Sequence, residues 1–181
     1  MIDLLRPLLP HAALEPGEST DQPSVRVPAD CLADLCRLLH DRPEMAFVFL
    51  ADITAVDWWP REPRYEVVYH LSSMTQRLRL KVALDGRSAT LPTLQSVWPA
   101  AGWLEREVWD MFGIVFTNHG DLRRLLMPED WEGHPLRKDF PVQIRLKPHH
   151  ESPLQVSEDE FRENLARDKA ARADAPGKIG L

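Results

Sequence analysis

Between residues 103 and 141, in the run WLEREVWDMFGIVFTNHGDLRRLLMPEDWEGHPLRKDFP, this chain gathers the side chains best able to do chemistry. The carboxylates Glu105, Glu107, Asp110, Asp121 and Asp139 could serve acid–base work. His119 and His134 could ligate a metal or move a proton, and Arg106, Arg123, Arg124, Arg137 and Lys138 could hold anions. Metal binding meets two obstacles: no HExxH pattern is present, and each carboxylate has a base close by in sequence. Glu105 and Glu107 flank Arg106, Asp121 precedes Arg123 and Arg124, and Asp139 follows Arg137 and Lys138. An arginine competes with a cation for the same carboxylate lone pairs. A stand-alone metalloenzyme built on His119, Asp121 and His134 is therefore a remote alternative. Catalysis by the chain alone finds no nucleophile elbow, P-loop or GxGxxG, and only 8 glycines are available for a phosphate-cradling loop.

The remaining reading is contact with another protein. Arginine and tryptophan are the types most enriched at binding hot spots, and Trp103, Trp109 and Trp131 lie among these arginines. The plainer alternative is an amphipathic helix followed by a proline-rich arm, both packed on their own sheet. Leu104, Val108, Met111 and Phe112 recur at helical spacing and read as core. The arginines and the run His134–Phe140 read as interface.

Composition sets the frame. With 181 residues, 44% hydrophobic and 28% charged, the chain fits one ordinary domain with some tail. A net charge of −6 gives no basic face for a nucleic acid. The longest apolar run, Met45 to Ala51, is far short of the roughly 20 residues that span a bilayer. Pro7, Pro10 and His11 interrupt any leader-like pattern, so the chain is expected in the cytosol or at a membrane only through a partner. Cys31 and Cys36 form no metal pattern and read as ordinary thiols.

The elements that must position the segment follow in order. Leu4, Leu5, Leu8 and Leu9 predict a short apolar turn, residues 15–23 a mobile loop, and Ser24–Pro28 a short strand. Asp30 is the expected N-cap of a helix carrying Leu32, Leu35, Cys36 and Leu39, closed by Pro43. Met45–Val56 reads as a buried strand, and residues 58–63 as a turn. Tyr65–Leu71 and Arg77–Leu84 form a hairpin, the second strand setting Leu78, Leu80, Val82 and Leu84 opposite Arg77, Arg79 and Lys81. Thr93–Trp98 allows one helical turn. A helix spans Trp103–Phe112, with Glu105, Glu107 and Asp110 off its apolar stripe and Gly113 as C-cap. Another turn is expected near Leu122–Leu126. Ser157-Glu158-Asp159-Glu160 is a capping box opening a charged helix to about Ala171.

The predicted fold is α+β: a two-layer domain whose sheet, mainly antiparallel or mixed, is covered by helices, plus an extended C-terminal arm. The expected divisions are a mobile segment over 1–24, a core domain over 25–116, an interface arm over 117–156, and a short helix with frayed tail over 157–181.

Glu105-Arg106-Glu107, Trp109-Asp110-Met111-Phe112-Gly113-Ile114, then His119 and Asp121-Leu122-Arg123-Arg124-Leu125-Leu126 together resemble the signature of the 30 kDa subunit family of respiratory complex I. In bacteria this is the C-type subunit of NADH-quinone oxidoreductase. Pro128 to Pro141 is similar to the family's following block, and Phe49–Ile53 and Val97–Ala101 add weaker likeness. The resemblance spans roughly residues 30–165. Asn118 stands where many members have glycine, and Gly120 where many have proline.

This resemblance implies a non-catalytic structural subunit of the peripheral arm of an ion-translocating NADH:quinone oxidoreductase. It implies no cofactor in this chain, with FMN, Fe-S clusters and quinone held by partner subunits. The implied partners are chiefly the 49 kDa-type (D-type) subunit and the Fe-S subunits of B and I type. The implied place is the cytoplasmic side of the cell inner membrane, with the membrane touched only indirectly. In this reading Arg123, Arg124, Arg137 and Lys138 pair with partner groups while Trp103, Trp109 and Trp131 fill partner pockets. An equivalent subunit of a membrane-bound hydrogenase or formate-hydrogen lyase complex is the alternative.

Overall fold

A computed structural model describes residues 5, 11, 13–17, 21–141 and 157–173. Two compact units are present, one over Met1–Pro141 and one over Val142–Leu181. In the first, a five-stranded sheet has the order β1-β2-β5-β4-β3. The strands are β1 (Glu15–Pro16), β2 (Ser24–Arg26), β3 (Phe49–Asp57), β4 (Tyr65–Ser72) and β5 (Arg77–Leu84). Every neighbour pair is antiparallel except β2 with β5, so the sheet is mixed. β5 alternates as its sequence requires, with Leu78, Leu80, Val82 and Leu84 inward and arginine or lysine between the first three. Helix α1 (Leu32–Asp41) lays Leu32, Leu35, Cys36 and Leu39 onto a core that includes Val25, Tyr69 and Leu80.

Several expectations are corrected here. Residues 15–23 are not wholly a loop, because β1 pairs Glu15 with Arg26 and Pro16 with Val25. Asp30 does not cap α1: it sits in a 3-10 turn, Ala29–Cys31, and Cys31 takes the cap position without a side-chain bond. The apolar run Met45–Ala51 is not one buried strand. Its first part is a turn tied to α1 by the Phe47 amide, which donates to the Leu39 carbonyl at 3.0 Å. The strand begins at Phe49, which is 60% exposed, while the next residue, Leu50, points to the opposite face and is 3% exposed.

A second, two-stranded parallel sheet joins β6 (Thr90–Pro92) to β7 (Val115–Thr117). Between them in sequence runs α2 (Ala101–Phe112), ended by Gly113 at φ +80°, where a Cβ would stand 2.6 Å from the His134 ring. Glycine is required there by both backbone and space. Asn118, at φ +63°, adopts the same left-handed region, which asparagine tolerates better than most residues.

The stretch from Thr117 to Pro141 belongs to the first unit. The turn expected at Leu122–Leu126 does not form as a helix. In the second unit, α3 (Glu158–Ala173) opens with the expected capping box: the Glu160 amide donates to Ser157 Oγ at 3.2 Å, and the Ser157 amide to Glu160 Oε2 at 3.1 Å. The expected apolar turn of residues 1–11, the arm over 142–156 and the tail after 173 lie outside the described residues, apart from Leu5 and His11.

Candidate functional site: the α2 carboxylates and the arm they hold

Helix α2 does not keep its acids off the buried face. Glu105 and Asp110 are both 0% exposed, alongside Ala101, Val108 and Met111. A buried carboxylate is stable only with full hydrogen bonding, and each of these has it.

Asp110 organises the arm. Its Oδ2 accepts the amides of Leu125 (3.0 Å), Leu126 (2.8 Å) and Met127 (2.9 Å), while its Oδ1 accepts Arg124 Nη1 at 2.7 Å. Three successive amides turned to one oxygen form a nest that suits an anion. They also explain why residues 122–126 stay irregular. Burial by itself would raise the Asp110 carboxyl, but the Met127 amide, the Arg124 guanidinium and the neighbouring amides outweigh it and lower its pKa. Arg124 continues outward, donating from Nη2 to the carbonyls of Trp131 (2.5 Å) and Gly133 (3.0 Å). Arg106 donates to the carbonyls of Arg123 (3.0 Å) and Arg124 (2.9 Å), and lies over the Trp103 ring. His134 Nδ1 bonds the Asp110 carbonyl at 3.0 Å, and the Leu136 amide donates to the Met111 carbonyl at 3.0 Å.

Glu105 closes the other side of α2. It accepts Thr93 Oγ1 at 2.5 Å and the Leu94 amide at 2.7 Å, with His119 Nε2 at 3.9 Å. His119 Nδ1 accepts the Asp121 amide at 3.0 Å, and its Nε2 donates to the Gly102 carbonyl at 3.0 Å. Burial dominates at Glu105 and raises its pKa, the Thr93 and Leu94 donors and His119 opposing it. Protonation at Glu105 therefore supports folding, a contribution that fades as pH climbs past the ordinary 4.5 toward the raised folded value. Glu105→Gln removes this titration, so its cost relative to wild type should shrink as pH rises above 4.5. Melting experiments in which that cost grew with pH would contradict a raised Glu105.

The arm ends on a second buried charge. Arg64, 7% exposed, donates Nε and Nη2 to Asp57 at 2.9 and 2.8 Å, and Nη1 and Nη2 to Asp139 at 3.1 and 2.8 Å. The Lys138 amide adds a bond to Asp57 Oδ2 at 2.8 Å, and Arg137 forms a two-bond pair with Asp139 at 3.0 Å. Burial alone would raise the Asp57 carboxyl; the Arg64 guanidinium with the Lys138 and Trp59 amides hold it at about 2. Arg64 and Arg137 hold Asp139 well below the ordinary carboxylate range. Both folded values lie below the unfolded 3.8, so their stabilisation is complete above that value and is lost as pH falls through the folded ones. We expect stability measured by denaturant titration to drop by on the order of 2 kcal/mol between about pH 5 and pH 2 from Asp57 alone. A flat profile over that range in wild type, matching the one of Arg64→Ala, would contradict it.

The residues predicted to meet a partner thus divide. Arg124 does not reach outward; its charge is committed to Asp110 inside the chain. Arg106, Arg137, Asp139, His119 and His134 also hold the chain to itself, and Glu105 and Asp110 are interior. Trp109 and Trp131 are half-buried, Trp109 beside the His134 ring and Trp131 stacked on Phe140. Exposed are Trp103, Glu107, Asp121 with its partner Arg123, and Lys138. Arg64 and Asp57 were not foreseen from the sequence, because they lie 75 and 82 residues from Asp139. Among the described residues no three histidine, cysteine or carboxylate side chains converge on a point that could hold a metal ion, so His119, Asp121 and His134 do not form a ligand set. Nor is any described helix long and apolar enough to cross a membrane.

The family described as respiratory-chain NADH dehydrogenase, 30 Kd subunit, matches residues 25–145. The C-type subunit of NADH-quinone oxidoreductase from Roseiflexus sp. (strain RS-1) is 50% identical over 144 residues, covering 78% of this chain and 83% of that protein. That of Geobacter metallireducens is 42% identical over 142 residues, covering 77% and 86%. Among solved structures, the trypsin-resistant fragment of Nqo5 is 31% identical with a TM-score of 0.53, covering 67% of this chain and 97% of that one. A chain of the membrane-bound sulfane sulfur reductase, an archaeal respiratory membrane complex, is 31% identical with a TM-score of 0.65, covering 78% and 84%.

Proposed function

Because this chain belongs to the 30 kDa subunit family of the respiratory-chain NADH dehydrogenase, we propose that it braces an NADH:quinone oxidoreductase without taking part in the electron path. As a relative of the C-type subunits it is part of such a complex and partners its other subunits. The finer reading has five parts. The chain holds no active site. FMN, Fe-S clusters and quinone reside in partner subunits. The main partner is the 49 kDa-type (D-type) subunit, with Fe-S subunits of B and I type beside it. The chain lies on the cytoplasmic side of the inner membrane and meets that membrane only through the complex. Its exposed signature residues, Trp103, Glu107, Arg123 and Lys138 with Arg137 beside them, meet the partners.

One observation supports this reading above others: the charged groups of the signature segment are engaged in fixing the segment's own backbone. Asp110, Arg106 and Arg124 bond amides and carbonyls of residues 123–133. A catalytic set would leave such groups aimed at an open reacting position. A fixed irregular backbone, by contrast, is what a docking surface needs if binding is not to carry a large ordering cost.

Affinity purification of the tagged chain from detergent-solubilised membranes tests it. Recovery in a large particle containing flavin and iron, with NADH:quinone activity, is the expected result. Recovery of the chain alone with stoichiometric metal would overturn it. The likeness to the sulfane sulfur reductase chain favours one second reading, the equivalent subunit of a hydrogenase-type or related respiratory complex. Co-purification of a hydrogenase-like chain with no NADH-oxidising subunit would select that reading.

A further inference from the structure

The turn at residues 58–63 lies outside the signature segment in sequence and carries a pair of exposed aromatic residues. Trp58 and Trp59 are 45% and 54% exposed, and Pro60, Arg61, Glu62 and Pro63 are exposed with them. The loop is fixed from inside. The Trp58 amide donates to the Arg64 carbonyl at 2.8 Å, the Arg61 amide to the Trp58 carbonyl at 3.0 Å, and the Trp59 amide to Asp57 Oδ1 at 3.0 Å. Glu62 Oε2 accepts the amides of Arg64 at 3.0 Å and Gly86 at 3.1 Å, turning that carboxylate back toward the sheet. Two indoles on a hydrogen-bonded loop are poorly explained by folding, since about half of each remains in water.

Arg61 gives the surface a sign. Among the described residues no ion pair reaches it. The carboxylates that flank it in sequence are engaged elsewhere, Asp57 on Arg64 and Glu62 on two amides. An exposed guanidinium without an ion pair, two residues after a pair of exposed tryptophans, is the composition of a binding hot spot, and it is complementary to a carboxylate. A lipid surface would ask for a broader apolar face or more cations than one arginine with Glu62 beside it.

We propose that the loop Trp58–Pro63 is a docking site for a neighbouring protein subunit that offers an apolar pocket to the two indoles and a carboxylate to Arg61. This rests on the reading of the chain as part of a complex; the loop lies outside the signature segment in sequence, and its two flanking residues, Asp57 and Arg64, are bonded to Lys138 and Asp139 of that segment. Because the loop is ordered before contact, little conformational freedom is lost on docking, which makes a few side chains sufficient for a large effect.

The test uses the full tagged chain expressed in place of the native one, with co-purifying subunits counted per chain. Trp58→Ala with Trp59→Ala, and separately Arg61→Glu, should each lower that ratio about tenfold or more, while the melting temperature of the purified chain stays at the wild-type value. A photo-crosslinking residue at position 59 should capture a peptide of another subunit containing Asp or Glu. Unchanged association in both variants overturns the proposal. So does a lowered melting temperature with association intact, a crosslink confined to lipid or to this chain, or a captured peptide without an acid. A wild-type chain that associates with no other subunit sinks the reading of the chain as part of a complex, a result separable from failure of the loop variants alone.

Discussion

Replacing Asp110 by alanine should destabilise the protein by about 3–5 kcal/mol, the cost typical of removing one partner of a buried ion pair. The side chain is fully buried and Arg124 only 13% exposed, so solvent cannot take over the lost bonds. Three amides and a guanidinium lose their acceptor together, and residues 123–136 lose the anchor that aligns them along α2. Asp110→Asn should cost less, about 1–3 kcal/mol, because its carbonyl can still accept amides while its NH2 opposes Arg124. Hydrogen exchange at Leu125, Leu126 and Met127 would locate the effect. Retained protection at those amides in Asp110→Ala would mean that the arm is held by something other than this carboxylate.

The second large effect belongs to Arg64. Arg64→Ala leaves the Asp57 side chain, 0% exposed, without its cation and frees Asp139 from the sheet, so a loss of about 3–5 kcal/mol is expected. Replacing the pair together, as Arg64→Met with Asp57→Leu, should recover much of that loss, since a buried ion pair adds little over a well-packed apolar pair of like volume. Two Asp57 acceptor contacts, from the Lys138 and Trp59 amides, would remain unmet in the double variant, so recovery should stop short of wild type. Denaturant titration of the single and double variants decides it. A double variant no better than Arg64→Ala would show that the carboxylate serves the amides more than the arginine.

How much of this could be read from the chain depended on distance along it. The β4–β5 hairpin and its inward Leu78, Leu80, Val82 and Leu84 follow from strict alternation, and Gly113 after Phe112 ended α2 where expected. Those signals are local, set by neighbours within a few residues. The orientation of α2 was not local. Glu105 and Asp110 read as lying off the apolar stripe, because charge counts as polar on a helical wheel. They turn inward because Leu94, Thr93 and residues 125–127 supply donors from loops that a wheel cannot see. The same blindness hid the Arg64 link, where Asp57 and Asp139 meet one guanidinium from well-separated parts of the unit's sequence. Phe49 failed for a different reason: an apolar run does not tell which face of a strand is covered, and Phe49 points away from the core while the next residue, Leu50, is buried. The mixed composition of the segment 103–141 serves its own folding, through Asp110, Arg106 and Arg124.

We propose that this chain supports the complex without performing its chemistry. The measurement that meets it most directly is turnover per assembled complex in a strain carrying Arg137→Ala, with complex quantified by its flavin. The Arg137 side chain is 33% exposed and pairs only with Asp139 among the described residues, so its loss should lower the amount of assembled complex more than it lowers the stability of the purified chain. Fewer complexes are expected, each reducing quinone with NADH at the wild-type rate. A full complement of complexes working at a reduced rate would contradict it and place this chain in the reaction.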